Sequence, residues 1–354
     1  MKPMIINTPK GKRKIGPGNP AFIIAEMSGN HNQDFNRALK IIDAAAAAGV
    51  DAVKLQTYTP DTITMDSDKD YFRVKIKNVW QDQILYNLYK QAYTPWDWQP
   101  KLKKYGENKG LVVFSTPFDN TAVDFLEKMK VSLYKIASYE VGDIPLLKRV
   151  GQTKKSVIMS RGMASKAEIQ LAIKTLKEAG ASQVATLHCV SAYPATAEQM
   201  NLATIPDLAK RFKVISGLSD HTLGITASVA SIVLGANIIE KHLTLRRADG
   251  GPDATFSLEP GEFKDLVQTV REAEATIGKP NYELTEGEKI GVLYRKSLFV
   301  VKDIKAGEKF TPQNVRSIRP GHGLPPKYYE EILGRAAKVD IERGEPLDRG
   351  MVRR

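Results

Sequence analysis

The sequence predicts a closed (β/α)8 barrel followed by a small second domain, and three observations carry that prediction. Eight short apolar or β-branched runs recur along the first four-fifths of the chain, each followed by a helical pattern. Near-continuous apolar strands separated by helices pair in parallel with both faces covered, and eight such units match a barrel of roughly 250 residues. After Gly278 the alternation stops. A doubly wound open sheet is the alternative, but no G-x-G-x-x-G follows the first run.

In order, the expected strands are 21–26, 52–57, 111–116, 133–138, 156–160, 184–188, 214–219 and 237–243. Helices are expected between them, for example 34–48 ending at Gly49 and 166–179 ending at Gly180, with glycine where a helix stop prefers it. The segment 59–95 is an insertion rich in Tyr, Trp, Asp and Lys. It reads either as a loop and extra helix over the barrel mouth or as a peripheral elaboration. Residues 281–293, opened by Lys279-Pro280-Asn281, read as a linker between a barrel at 1–280 and a module at 294–354. Within the module, Asp303-Ile304-Lys305-Ala306-Gly307-Glu308 recurs as Asp340-Ile341-Glu342-Arg343-Gly344-Glu345. At roughly 60 residues the module is small enough to want a partner surface.

Composition narrows the functional classes. The 354 residues are 42% hydrophobic and 26% charged, ordinary for a globular protein. No apolar run reaches the ~18 residues of a membrane span, and the basic segment 1–18 lacks the apolar stretch of a secretory signal. A cytoplasmic, non-membrane protein is expected. The single cysteine, Cys189, excludes a disulfide framework or a multi-cysteine metal site. The net charge of +12 is scattered apart from residues 10–14 and the closing Arg353-Arg354, without aromatic interleaving, which argues against nucleic acid and leaves an anionic metabolite open.

Barrel enzymes work at the C-terminal ends of their strands, and those ends are polar here. The runs carry Glu26; Lys54 and Gln56; Ser115-Thr116-Pro117-Phe118; Lys135, Ser138 and Glu140; Ser160; His188 to Tyr193; Ser219-Asp220-His221; and Glu240-Lys241-His242. Lys54 and Lys135, taken as lying on adjacent strands, are costly to bury without an anion, so they suggest a phosphate or carboxylate ligand. Ser138, Ser160, Ser191 and Ser219 offer neutral donors to its oxygens. A one-residue slip would turn both lysines outward to solvent. His221 and His242, ending neighbouring strands, could share one divalent metal in an open site. Structural hydrogen bonding is the alternative for each. His31 and His188 are assigned no ligand role.

These motifs resemble the sialic acid synthases, which condense phosphoenolpyruvate with an N-acylated sugar aldehyde. The resemblance runs through Ile24-Ala25-Glu26, Asn30-His31-Asn32, Ala52-Val53-Lys54-Leu55-Gln56-Thr57, Ser115-Thr116-Pro117-Phe118, Tyr134-Lys135-Ile136-Ala137-Ser138, Leu218-Ser219-Asp220-His221-Thr222 and Glu240-Lys241-His242. Arg319-Pro320-Gly321 resembles the antifreeze-like (SAF) domain that closes those synthases. Residues 26–32 and 247–253 are most similar to the pseudaminic acid branch. Ser191 departs from the asparagine that many relatives place two positions before the tyrosine of Tyr193-Pro194.

The resemblance implies that Lys54, Gln56, Lys135, Ser138, Ser160, Ser191 and Ser219 hold phosphoenolpyruvate. It implies that His221 and His242 bind a divalent metal, manganese with magnesium or cobalt as substitutes. Phe118, Tyr193, Asp253 and Arg319 would contact the sugar, and Glu26 and Glu140, with Lys54 and Lys135, would carry the catalysis. It further implies a homodimer with exchanged C-terminal domains. The expected reaction joins phosphoenolpyruvate to 2,4-diacetamido-2,4,6-trideoxy-altrose, giving a nine-carbon nonulosonic acid and phosphate. The alternatives are an N-acetylneuraminate or legionaminic acid synthase, a pyruvate aldolase, and a non-catalytic sugar- or anion-binding module.

Overall fold

The computed structural model describes residues 2–75 and 80–353. Part of the expected insertion, 76–79, and the closing Arg354 lie outside the described residues. The chain divides into two compact units, Met1–Gly278 and Lys279–Arg354.

The first unit opens with a hairpin, β1 (Met4–Thr8) and β2 (Gly11–Ile15), paired antiparallel. Then come β3 (Phe22–Glu26), β4 (Ala52–Thr57), β5 (Val112–Pro117), β6 (Leu133–Ile136), β7 (Ser156–Ser160), β8 (Val184–Cys189), β9 (Ile215–Asp220) and β10 (Ile238–His242). These eight form a closed barrel, all parallel, with β10 pairing back onto β3. Every expected run is a strand, its bounds within two residues of those expected. The largest difference is β6, which stops at Ile136 because Ser138–Glu140 turn into a 3-10 helix. The helix Phe35–Ala48 is capped by Asp34, whose carboxylate accepts from the N–H groups of Asn36 and Arg37, and it ends on Gly49 at φ 81°.

The period of two along each strand sorts the interior from the wall. Phe22, Ile24, Ala52, Phe114, Leu133, Ile158, Leu187 and Ile238 belong to one apolar cluster with Met4, Ile6 and Ile15 of the hairpin. The hairpin therefore plugs the floor of the barrel. Sequence reading missed it, because five-residue strands around the basic Lys10 to Lys14 show little periodicity. Outward residues such as Ile23, Val53, Leu55 and Ile239 pack with the helices. Continuing the inward parity upward gives Glu26, Lys54, Gln56, Lys135, Ser160, Ser219, Glu240 and His242, one polar storey above an apolar one.

The insertion carries helices Pro60–Ile63 and Leu85–Ala92. It reaches the mouth through Trp80, whose Nε1–H donates to the Pro252 carbonyl at 2.8 Å and whose ring packs on Tyr193 at 5.2 Å. Among the described residues, no helix is long and apolar enough to cross a membrane.

The second unit holds β11 (Ser297–Val300) paired antiparallel with β12 (Val315–Ile318) around Leu298, Val300, Ile304, Phe310 and Leu347. Residues 281–293 contain the helix Glu286–Gly291. The repeat is reciprocal: Arg343 N donates to Asp303 Oδ1 and Ala306 N to Asp340 Oδ1, both at 2.8 Å. Each copy's aspartate caps the other copy's turn.

Candidate active site

Lys54 and Lys135 point inward and are 4% and 1% exposed, so the outward alternative is excluded. They are not on adjacent strands, since β5 lies between β4 and β6. What joins them is a carboxylate. Glu240 Oε1 lies 3.8 Å from Lys54 Nζ and 3.7 Å from Lys135 Nζ, and Glu26 Oε2 pairs with Lys54 at 2.6 Å. Two cations and two anions thus alternate inside the barrel. Burial would neutralise Glu240, but Lys135 and Lys54 outweigh it and hold the carboxyl below its usual range. Burial also lowers Lys135, against the pull of Glu240, while at Lys54 the two glutamates overcome burial and raise it.

The serines extend this cluster. Lys135 Nζ donates to Ser160 Oγ at 2.6 Å and to the Ile136 carbonyl at 3.0 Å. Ser219 Oγ donates to Glu240 Oε1 at 3.1 Å. Ser138 and Ser191 hydroxyls lie 2.9 Å apart, an approach that Gly162 permits: a Cβ there, at φ 44°, would stand 2.2 Å from Ser138 Cβ and 2.9 Å from Ser191 Oγ. Gln56 shares the inward parity of Lys54 two residues along β4.

The histidines sort cleanly. His221, just past β9, and His242, ending β10, have ring centroids 5.6 Å apart. His221 Nδ1 meets the Val190 carbonyl at 2.9 Å, so that nitrogen carries a proton. Burial lowers the pKa of the ring, but Cys189, the Val190 carbonyl and Asp220 outweigh burial and raise it. Nε2 is free to ligate when the ring is neutral, as a metal would hold it. His242 Nδ1 is buried without a hydrogen-bond partner. Burial, then His221, Lys54 and Lys241, push its pKa well down, so the ring is neutral and able to coordinate. Both residues therefore fit a divalent metal. Among the described residues, no three His, Cys, Asp or Glu converge on a metal position, so an ion held here would take its remaining ligands from water or substrate. His188 faces the wall, bonded to Arg161, and His31 meets Thr94 Oγ1 at 3.2 Å.

Glu26 and Glu140 are pushed up to about 7, each chiefly by burial, with Lys54 opposing at Glu26 and Lys135 at Glu140. Glu26 Oε1 and Glu140 Oε2 are buried without hydrogen-bond partners. A carboxyl whose folded pKa lies above its unfolded value favours the fold while protonated. That contribution is full below about 4.5 and is lost as pH rises through about 7. Glu140→Gln removes the titration, so its melting temperature relative to wild type should climb between these pH values and level off above them. A difference independent of pH in differential scanning fluorimetry would show that Glu140 is not buried as described.

Of the expected sugar contacts, Tyr193 stacks on His221 at 4.4 Å between ring centroids, and Phe118 meets Tyr58 edge-on at 5.1 Å. Asp253 is 7% exposed and accepts from Ser28 Oγ at 2.5 Å and Gly29 N at 3.4 Å. Burial raises its pKa. Arg319 belongs to the second unit and is exposed. Sequence reasoning named Glu240 among the strand-end residues but gave it no role, although its spacing of two from His242 places it on the interior face. It passed over Trp80 and Phe256, which pack around Tyr193 and leave no pattern in the sequence.

A charge-lined lumen at the strand ends of a (β/α)8 barrel places this chain among the barrel enzymes that handle anions. More narrowly, the chain belongs to the NeuB family, whose model matches residues 41–282, and a SAF domain matches residues 295–353. It is 42% identical to the pseudaminic acid synthase of Campylobacter jejuni serotype O:2, covering 93% of this chain and 96% of that one. The pseudaminic acid synthase of Helicobacter pylori is 38% identical over 93% of this chain and 96% of its own. Among solved structures, the N-acetylneuraminic acid synthetase of Leptospira borgpetersenii, in complex with citrate, superposes with a TM-score of 0.70. It is 34% identical and covers 79% of this chain and 93% of that one.

Proposed function

We propose that this enzyme condenses phosphoenolpyruvate with 2,4-diacetamido-2,4,6-trideoxy-altrose to pseudaminic acid and phosphate. The observation that carries the reading is the pair of buried ammonium groups sharing Glu240 inside the barrel, matched to a substrate with two anionic groups. The relatives named as pseudaminic acid synthases support the choice of sugar.

In this reading Lys54 and Lys135 bind the carboxylate and phosphate, with Gln56, Ser138, Ser160, Ser191 and Ser219 as further donors. Carbon 3 attacks the sugar aldehyde, and protonated Glu140 donates to the oxygen that becomes a hydroxyl. Water adds at carbon 2, giving up a proton to Glu26, and the tetrahedral centre expels phosphate. Fixed cations at the leaving group act without reorganisation. A divalent ion held by His221 and His242, manganese or a substitute, would supply Lewis acidity at the carbonyl. Phe118, Tyr193 and Asp253 shape the sugar end. Use of phosphoenolpyruvate, a product of central metabolism, supports a cytoplasmic location in this reading.

Phosphate release is the test. It should need both substrates, fall in chelator, and show kcat/KM at least about 10-fold higher for the diacetamido-altrose than for N-acetylmannosamine, the scale that pocket contacts to an apolar group provide. A preference for N-acetylmannosamine would move the enzyme to the N-acetylneuraminate branch. Absence of phosphate release with every N-acylated sugar would leave a binding module.

The reading includes a homodimer in which Arg319 of one copy completes the other copy's site. The small second unit and the exposure of Arg319 support it. Mixing the variants Arg319→Ala and Lys135→Ala under subunit exchange should restore activity, since one hybrid site then has both residues intact. Hybrid dimers seen by native mass spectrometry but inactive would refute the exchange.

A further inference from the structure

We propose that Lys241 and Asp220 are positioning residues that hold His221 in register with His242, an inference resting on the reading of those histidines as metal ligands. Neither side chain faces the lumen. The period of two that turns Ser219, Glu240 and His242 inward turns Asp220 and Lys241 into the wall, where both side chains are 0% exposed and pair at 2.8 Å. A salt bridge buried this deeply is weak evidence of stability, because desolvation offsets most of the Coulomb attraction. Its geometry points to a different use.

Lys241 Nζ donates to Asp220 Oδ2 and, at 2.7 Å, to the Thr222 carbonyl. Asp220 Oδ1 accepts from both the N–H and the hydroxyl of Thr222 at 2.8 Å. Its Oδ2 also accepts from Ser228 Oγ at 2.6 Å, in the helix Thr226–Val233. One ammonium on β10 therefore grips the residue before His221 and the residue after it, while its own neighbour in the chain is His242. The grip falls where it is needed. The β9–β10 pairing ends at Lys241 opposite Asp220, so His221 lies beyond the ladder. On its other side His221 is held from the loop after β8, by Ala195 N donating to the His221 carbonyl at 3.1 Å and by the Nδ1 contact to the Val190 carbonyl at 2.9 Å. Without the clip, the distance between the two imidazoles would depend on a loop.

The test is the double variant Asp220→Asn/Lys241→Met, which removes both charges so that neither is left buried alone. Mn2+ binding is read by electron paramagnetic resonance with Mn2+ alone, and phosphoenolpyruvate binding by calorimetry in metal-free buffer. The Mn2+ dissociation constant should rise about 10–100-fold, the cost typical of losing an outer-shell partner, while phosphoenolpyruvate affinity stays unchanged. A folded double variant that binds Mn2+ as wild type does, or loses both ligands in parallel, overturns the proposal. Wild type and His221→Ala, run alongside, separate the two readings. If wild type binds no Mn2+, or His221→Ala binds it equally well, the ligand assignment itself fails. Should the double variant not fold, Thr222→Val decides: it deletes one hydroxyl bond to Asp220, and weaker Mn2+ binding supports the clip while unchanged binding overturns it.

Discussion

Lys135→Ala should lower kcat/KM for phosphoenolpyruvate by at least about 100-fold, equivalent to about 2.7 kcal/mol of transition-state stabilisation. The ammonium is 1% exposed and makes two short donations, to Ser160 Oγ and the Ile136 carbonyl. Those bonds fix where its charge stands before substrate arrives. Its loss removes one of the two ammonium groups beside Glu240 and leaves an incoming anion facing a less compensated carboxylate in a partly dry site, where removal of one charged partner costs about 3–5 kcal/mol. A surface lysine such as Lys174, paired with Glu178 in solvent, is the control and should change nothing measurable. Retained structure is checked by circular dichroism. A loss under tenfold in correctly folded protein would mean that the anion is recognised elsewhere.

The fold was legible because barrel strands are buried on both faces and so stand out as apolar runs between helical patterns. Much of the site was legible for a related reason. In strands buried this deeply, lysine, glutamate and histidine are conspicuous, and Lys54, Lys135 and His242 all announce themselves by interrupting apolar sequence. The roles of Glu240, Asp220 and Lys241 were not legible, because adjacent charges in one strand point to opposite faces and only the register tells lumen from wall. The hairpin at the barrel floor and the seat of Trp80 against Tyr193 depend on contacts between segments far apart in the chain, for example from Trp80 to Pro252. Strand-end reading also ran Lys54 and Lys135 together as neighbours, whereas it is Glu240, across the lumen on β10, that joins them.

His221→Ala should reduce turnover about 10³-fold at saturating Mn2+, about 4 kcal/mol, and should abolish tight Mn2+ binding in the same preparation. The magnitude follows from the several kcal/mol that a Lewis acid contributes to charge developing on a carbonyl oxygen. Two readouts are needed because His221 also packs against Tyr193, with ring centroids 4.4 Å apart. Loss of that packing alone would disturb the sugar end and raise its KM without touching metal affinity. His188→Ala is the matched control: that ring is equally buried but faces the wall, bonded to Arg161, so its variant should keep Mn2+ affinity even if the protein melts earlier. His242→Ala should repeat the His221 result, since its neutral ring lies 5.6 Å away. Full turnover by His221→Ala in chelator-treated buffer would end the metal assignment and leave the aldehyde to be activated by Glu140 alone.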